Sequence, residues 1–220
     1  MVIIGKPGAH GRSMLVKLAK RLLLNSSLFT IVVFLGLNLA ITPRKDLLIY
    51  AGLVVALALT FYLGRGISRD YMSYQQYKSG VLAERSVYKK LRSLGPELLV
   101  NGASFPSIGD CDHIVINGSL YLIETKAGRG KVDLIDGKIY INGKAMPRDP
   151  LKQIERQARI IKEQFGITPR KIICITHALG SLMTPDTLIT NIEGLKTLKS
   201  PIDPPLDQKK KEEILNFFKK

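Results

Sequence analysis

The sequence predicts a mixed α/β domain carried behind two apolar, membrane-spanning helices. Two uncharged apolar runs, residues 28–41 and 47–64, lie near the N-terminus with only Thr42-Pro43-Arg44-Lys45-Asp46 between them. Beyond Arg65 the pattern reads helix, three strands, helix, strand, an order that packs helices onto a sheet of mixed pairing. Charged residues also close apolar strands, in Gly109-Asp110-Cys111-Asp112-His113-Ile114-Val115-Ile116 and again in Leu122-Ile123-Glu124-Thr125-Lys126.

The first run extends back through Leu22-Leu23-Leu24, weakened at Asn25-Ser26-Ser27. The second is about 18 residues, or about 27 Å of helix, close to the hydrocarbon thickness of a bilayer. A cleaved signal peptide would account for the first run but not the second. A soluble helix pair would carry a polar stripe, and neither run has one. The expectation is a tight antiparallel membrane hairpin. Lys6, Arg12, Lys17, Lys20 and Arg21 precede it, and Arg65 and Arg69 follow, so both termini are predicted to be cytoplasmic, although Arg44 and Lys45 in the loop reduce the contrast. The expected organisation is a basic leader (1–26), a membrane hairpin (27–64), a linker with the start of a helix (65–79), a main domain (80–200) and a basic C-terminal helix (201–220).

The chain carries a net charge of +15. Seven basic residues and one acid precede Arg65, a net +6 that suits anionic headgroups, leaving +9 for the rest. That remainder fits a polyanion such as nucleic acid, or simply a solvated basic surface. Cys111 and Cys174 lack a C-x-x-C partner and fall in apolar strands, so they read as small buried hydrophobes in a reducing compartment. The glycines of Gly5-Lys6-Pro7-Gly8-Ala9-His10-Gly11 match no phosphate-binding loop, precede no plausible strand and read as a flexible leader.

In the main domain, Tyr77, Val81, Val87, Leu91 and Leu94 recur at helical spacing until Gly95-Pro96, and Glu84 falls on or beside the buried face. A short strand (98–100) and a Gly/Ser/Pro-rich loop (101–109) lead to strands 113–116 and 120–125, joined through Asn117-Gly118-Ser119. Strand parity puts Glu124 and Lys126 on one face. Only a three-residue loop, with Gly118 or Ser119 left-handed, or a bulge, places Asp112 opposite Glu124; a two-residue turn without a bulge sends them to opposite faces. A surface hairpin follows (132–134, Asp136-Gly137, 139–141), then a helix from Asp149-Pro150 to Phe165 ended by Gly166. Residues 171–176 form a further core strand, Leu188-Ile189 a possible fifth, and residues 206–218 a lysine-rich helix.

Two carboxylates about one strand apart, Asp112 and Glu124, make an oxygen-rich site for Mg²⁺ or Mn²⁺. Such an ion polarises a phosphoryl oxygen and acidifies a water. Lys126 reaches the same pocket and can stabilise the transition state. Glu84 could add a ligand or a base, and Gln153 could orient a water or a phosphate. Phosphodiester hydrolysis needs this set. The plain alternatives are turn-capping aspartates at 110 and 112, a solvated Glu124–Lys126 ion pair worth little, and ordinary helix-surface residues at Glu84 and Gln153. His113 reads as a strand residue with a satisfied imidazole rather than a ligand.

Glu84 in a leading helix, G-D-C-D-H-I-V-I, I-E-T-K, G-K-I-Y-I-N-G-K and D-P-L-K-Q together resemble the nuclease-related domain (NERD) family of the PD-(D/E)xK phosphodiesterase superfamily, over about residues 80–165. Each motif is short, and the order and spacing carry the likeness. The resemblance implies a restriction-endonuclease-like core and site roles for Glu84, Asp112, Glu124, Lys126 and Gln153, with Asp112 preferred to Asp110 because it abuts the apolar strand. The resulting expectation is a membrane-anchored, cytoplasm-facing nuclease that uses Mg²⁺ or Mn²⁺, with DNA favoured over RNA. Its partners are then nucleic acid and the lipid bilayer. The competing expectations are a non-catalytic module that brings nucleic acid or a partner to the membrane, and a structural membrane protein whose domain binds anionic lipid.

Overall fold

The structure, a computed structural model, describes residues 1–41, 47–105, 109–199 and 205–219. The expected turn at 42–46, the middle of the loop at 106–108, and residues 200–204 and 220 of the C-terminal segment lie outside the described residues. The chain forms two compact units, Gly11–Lys78 and Met1–His10 with Ser79–Lys220.

The first unit is helical. Helix α1 runs over Ala9–Ile41 and α2 over Leu47–Leu94, the latter one unbroken helix of 48 residues. The polar triplet expected to weaken α1 does not interrupt it, because Ser27 Oγ donates back to the Leu23 carbonyl (2.9 Å) and Thr30 Oγ1 to that of Ser26 (3.0 Å). Such i−4 bonds satisfy the hydroxyls inside a helix. The two helices touch through small residues. A Cβ on Gly36 would lie 3.3 Å from that of Ala56, and one on Gly52 would lie 3.2 Å from Leu39 Cδ1. Small residues let helix backbones approach closely. Phe34, Leu37, Val54, Leu57 and Phe61 are exposed, and by length and composition both helices can cross a membrane.

The second unit is mixed α/β, with helices flanking a mixed sheet, as the sequence predicts. Its strands are β1 (Val2–Ile4), β2 (Leu98–Phe105), β3 (Gly109–Asn117), β4 (Ser119–Ile135), β5 (Lys138–Ile141), β6 (Lys144–Ala145), β7 (Arg170–Leu179), β8 (Leu182–Met183) and β9 (Thr187–Thr190), with α3 over Pro150–Phe165 and α4 over Gln208–Lys219. The main path is β1-β2-β3-β4-β7-β9-β8, antiparallel from β2 to β4 and parallel across β4-β7-β9. Here the strand at Leu188-Ile189 is realised as β9.

Alternate residues of the central strands feed two cores. On one face Leu99, Val115, Tyr121, Ile123, Ile172 and Cys174 pack on Val87 and Leu91 of α2. On the other, Ile114, Ile116, Leu122, Ile173 and Ile175 meet Ile154, Ala158 and Ile161 of α3, with Ile214 of α4. Each fully buried Leu or Ile contributes about 1.5–3 kcal/mol. Helix α3 has the ends its sequence advertises. Asp149 accepts from the Leu151 and Lys152 amides, Pro150 occupies the first turn, and Gly166 closes the helix at φ 70°.

One expectation is corrected. The stretch 5–11 is not a flexible leader: it follows an edge strand, Val2–Ile4, paired in parallel with Leu98–Val100, and α1 already begins at Ala9. Gly5 then turns at φ 75°, where a Cβ would fall 2.1 Å from the Asn101 carbonyl oxygen, so only glycine fits. The surface hairpin forms as expected, β4 pairing with β5 across Asp136-Gly137, and its first strand is the far half of a 17-residue β4 whose register against β7 shifts between Lys126 and Arg129. Asn142 secures the strand beyond the shift, accepting from the Lys131 amide (2.9 Å) and donating to the Arg129 carbonyl (3.1 Å).

Candidate active site

The β3–β4 register decides which side chains can meet. Ile116 pairs with Leu120, so Asn117-Gly118-Ser119 is the three-residue loop, and Gly118 takes the left-handed conformation at φ 72°. The ladder continues to His113 opposite Ile123, and one further step sets Asp112 across from Glu124. There the Thr125 amide donates to Asp112 Oδ2 at 2.7 Å, fixing the carboxylate against β4.

Glu124 is 2% exposed and fully engaged. Lys126 Nζ donates to its Oε1 at 2.6 Å and also to Gln153 Oε1 at 3.0 Å, so β4 and the first turn of α3 converge on one ammonium. Gln157, one turn further along α3, donates from Nε2 to Glu124 Oε2 (3.4 Å) and to the backbone carbonyl of Asp110 (3.0 Å). Among the described residues its Oε1 is buried with no hydrogen-bond partner, as is the Thr125 hydroxyl. An unsatisfied buried acceptor costs about 1–3 kcal/mol, so this spot stands ready for a donor.

Electrostatics mark the same place. Burial and the repulsion of Glu124 and Glu84 push the Asp112 carboxyl well above the usual carboxylate range. Burial also raises Glu124, against the pull of the Lys126 ammonium. Such perturbation by desolvation and like charge is typical of functional sites. Glu84 reaches the cluster from α2, close enough to raise Asp112, and its Oε2 accepts from the Gly8 amide at 2.7 Å. Glu124, Lys126 and Gln153 are thus in direct contact and Asp112 sits beside them, while Glu84 acts on Asp112 through the field.

Asp112 and Glu124 could hold a hard divalent cation with water completing its shell, as Mg²⁺ is commonly bound, and such a charge would offset the burial and repulsion that raise both carboxyls. Among the described residues no group of three or more His, Cys, Asp or Glu side chains is placed to hold a metal ion. His113 Nδ1 lies 2.9 Å from Asn101 Oδ1, burial drops its pKa to about 3, and among the described residues its Nε2 has no hydrogen-bond partner, so the imidazole is half satisfied where a satisfied one was expected.

Two participants escaped the sequence reading. Gln157 follows Gln153 by one turn, so a Q-x-x-x-Q pair within the apolar stripe of α3 was the available signal. The other is the Gly8 amide, whose role depends on β1, and the signal for β1 was only the three-residue run Val2-Ile3-Ile4. No curated protein and no solved structure matches the chain. Residues 79–178, which hold all of these site residues except Gly8, match the family model of the nuclease-related domain (NERD), and the match supports the NERD family for this part of the chain.

Proposed function

We propose that the protein is a membrane-anchored, cytoplasm-facing, metal-dependent nuclease acting on nucleic acid, DNA in the first place. The observation that carries the proposal is the convergence of Asp112, Glu124 and Lys126 inside the region that matches the nuclease-related domain. Asp112 and Glu124 would hold Mg²⁺ or Mn²⁺, which when bound supplies Lewis-acid polarisation of a phosphoryl oxygen and a more acidic water. Lys126, shared between Glu124 and Gln153, is placed to turn its ammonium toward negative charge developing on the phosphoryl group. Gln153 and the unpartnered Oε1 of Gln157 can orient water by hydrogen bonds. Glu84 raises the Asp112 carboxyl through its charge and is a further carboxylate able to take up a proton. Lys152, Arg156 and Arg159 lie exposed on α3, the helix that carries Gln153 and Gln157, where they suit a phosphate backbone.

Anchoring rests on α1 and α2, long and apolar enough to span a bilayer, and the cytoplasmic placement of both termini rests on the basic residues flanking them. The test is hydrolysis of labelled DNA and RNA by the full chain in detergent with Mg²⁺ or Mn²⁺, alongside Glu124→Ala and Lys126→Ala. Cleavage by wild type and loss in both variants is expected. Cleavage that survives both substitutions refutes the assigned site. No metal uptake by calorimetry, with salt-sensitive DNA binding intact, would leave a non-catalytic binding module instead. A reporter fused to the C-terminus should be accessible only from the cytoplasm.

A further inference from the structure

Within the helical unit, α1 and α2 enclose a cleft of about 540 Å³ whose lining includes Arg21, Asn25, Phe61, Tyr62, Arg65 and Arg69. Three guanidinium groups therefore face one small space. The nearby acid is Asp70, only 4% exposed, which accepts from Arg21 Nε at 3.0 Å and from Asn25 Nδ2 at 3.2 Å. That arrangement holds Arg21 through Nε, and among the described residues its guanidinium makes no second ion pair. Among the described residues Arg65 and Arg69 form no ion pair; Arg65 only stacks over the Phe61 ring, 5.5 Å from its centroid. A net excess of two positive charges remains in the cleft.

The position along the helices is informative. Arg21 directly precedes Leu22-Leu23-Leu24, and Arg65 directly follows the uncharged run 47–64, so the arginines stand where apolar helix gives way to polar. Phe61 and Tyr62, 68% and 74% exposed, lie one turn to the apolar side, as aromatic residues do at a membrane interface. Guanidinium forks match phosphate oxygens bidentately, and basic pockets between helices at headgroup depth recognise anionic lipids.

We propose that this cleft binds the phosphate of an anionic phospholipid headgroup, an inference that rests on the membrane-anchored reading above and adds a lipid specificity to it. The soluble alternative with the same chemistry, a free phosphate, lacks the apolar contacts that Phe61 and Tyr62 offer at the mouth of the cleft.

The experiment places the full chain in nanodiscs of phosphatidylcholine with a minor fraction of phosphatidylglycerol and reads lipid retained on the released protein by native mass spectrometry. Wild type should enrich phosphatidylglycerol at least fivefold. Arg65→Gln with Arg69→Gln should reduce the enrichment to parity, whereas Lys138→Gln with Lys144→Gln, which removes equal charge from an exposed hairpin elsewhere, should not. Parity in wild type, or enrichment that persists in the arginine variant, overturns the proposal. Displacement of the lipid by millimolar inorganic phosphate would reassign the cleft to a soluble anion. Carbonate extraction separates the two levels: release from membranes sinks the anchoring and this inference with it, while retention without lipid preference sinks only this inference.

Discussion

Replacing Lys126 by Met keeps the aliphatic stem but removes the only cation touching Glu124 among the described residues; the Glu124 side chain is 2% exposed against 20% for the lysine. If Glu124 stayed ionised, breaking the buried pair would cost about 3–5 kcal/mol. The carboxyl can instead take a proton. Relative to an unfolded-state pKa of about 4.3 and about 1.4 kcal/mol per unit, protonation costs about 3.7 kcal/mol at pH 7 and about 1 kcal/mol at pH 5. The cheaper route sets the loss, so Lys126→Met should lose about 2–4 kcal/mol at pH 7 and no more than about 1 kcal/mol at pH 5. The sign follows from linkage. With Glu124 raised further in the folded state, folded protein binds a proton that unfolded protein has released, so stability falls as pH rises above the unfolded value. Calorimetric melting of the full chain in detergent with EDTA should show the sheet domain melting about 4–15 °C below wild type at pH 7 and about 2–4 °C below at pH 5. An equal drop at both pH values would mean that Lys126 acts by packing and not by compensating charge.

Asp112→Asn keeps an acceptor for the Thr125 amide but removes a carboxylate whose pKa is raised, so it should melt higher than wild type at pH 8 without metal, match it at pH 3, and abolish cleavage. A lower melting point at pH 8 would contradict the repulsion assigned to Asp112 and Glu124. Nuclease activity should fall on the acid side as Asp112 and Glu124 protonate, and a pH–rate profile in which Glu84→Gln shifts that limb to lower pH would tie Glu84 to Asp112; an unmoved limb would break the link. Gly5→Ala puts a Cβ 2.1 Å from the Asn101 carbonyl oxygen at a left-handed φ, so hydrogen exchange should show loss of protection in β1 and β2; unchanged protection would refute the tight seat. Burial pushes the Cys174 thiol up to about 12 and raises Cys111 as well, so iodoacetamide at pH 8 should label neither until the protein is denatured.

The parts of the fold that were legible in the sequence are those set by neighbours along the chain. Asn117-Gly118-Ser119 permits the left-handed residue that a three-residue loop needs, and loop length then sets strand parity, so the possible opposition of Asp112 and Glu124 could be worked out from spacing. Asp149-Pro150 and Gly166 satisfy the ends of α3 with local groups alone. The apolar runs that became the second half of α1 and most of the first half of α2 needed only composition.

What tertiary structure decided is what depends on residues far apart in sequence. Three residues make too short a run to declare a strand, and β1 exists because the edge of β2, nearly a hundred positions later, offers its backbone. From there follow the seat of Gly5, the bond from the Gly8 amide to Glu84, and the connection from Ile4 through Asn101 to His113. Gln157 looked like any helix glutamine until α3 was laid across β4 and its amide met Glu124. Spacing could say that a carboxylate and a lysine share a face. Only packing could say that they are buried together, with Asp112 raised beside them, because desolvation is a property of what covers a group and not of its neighbours along the chain.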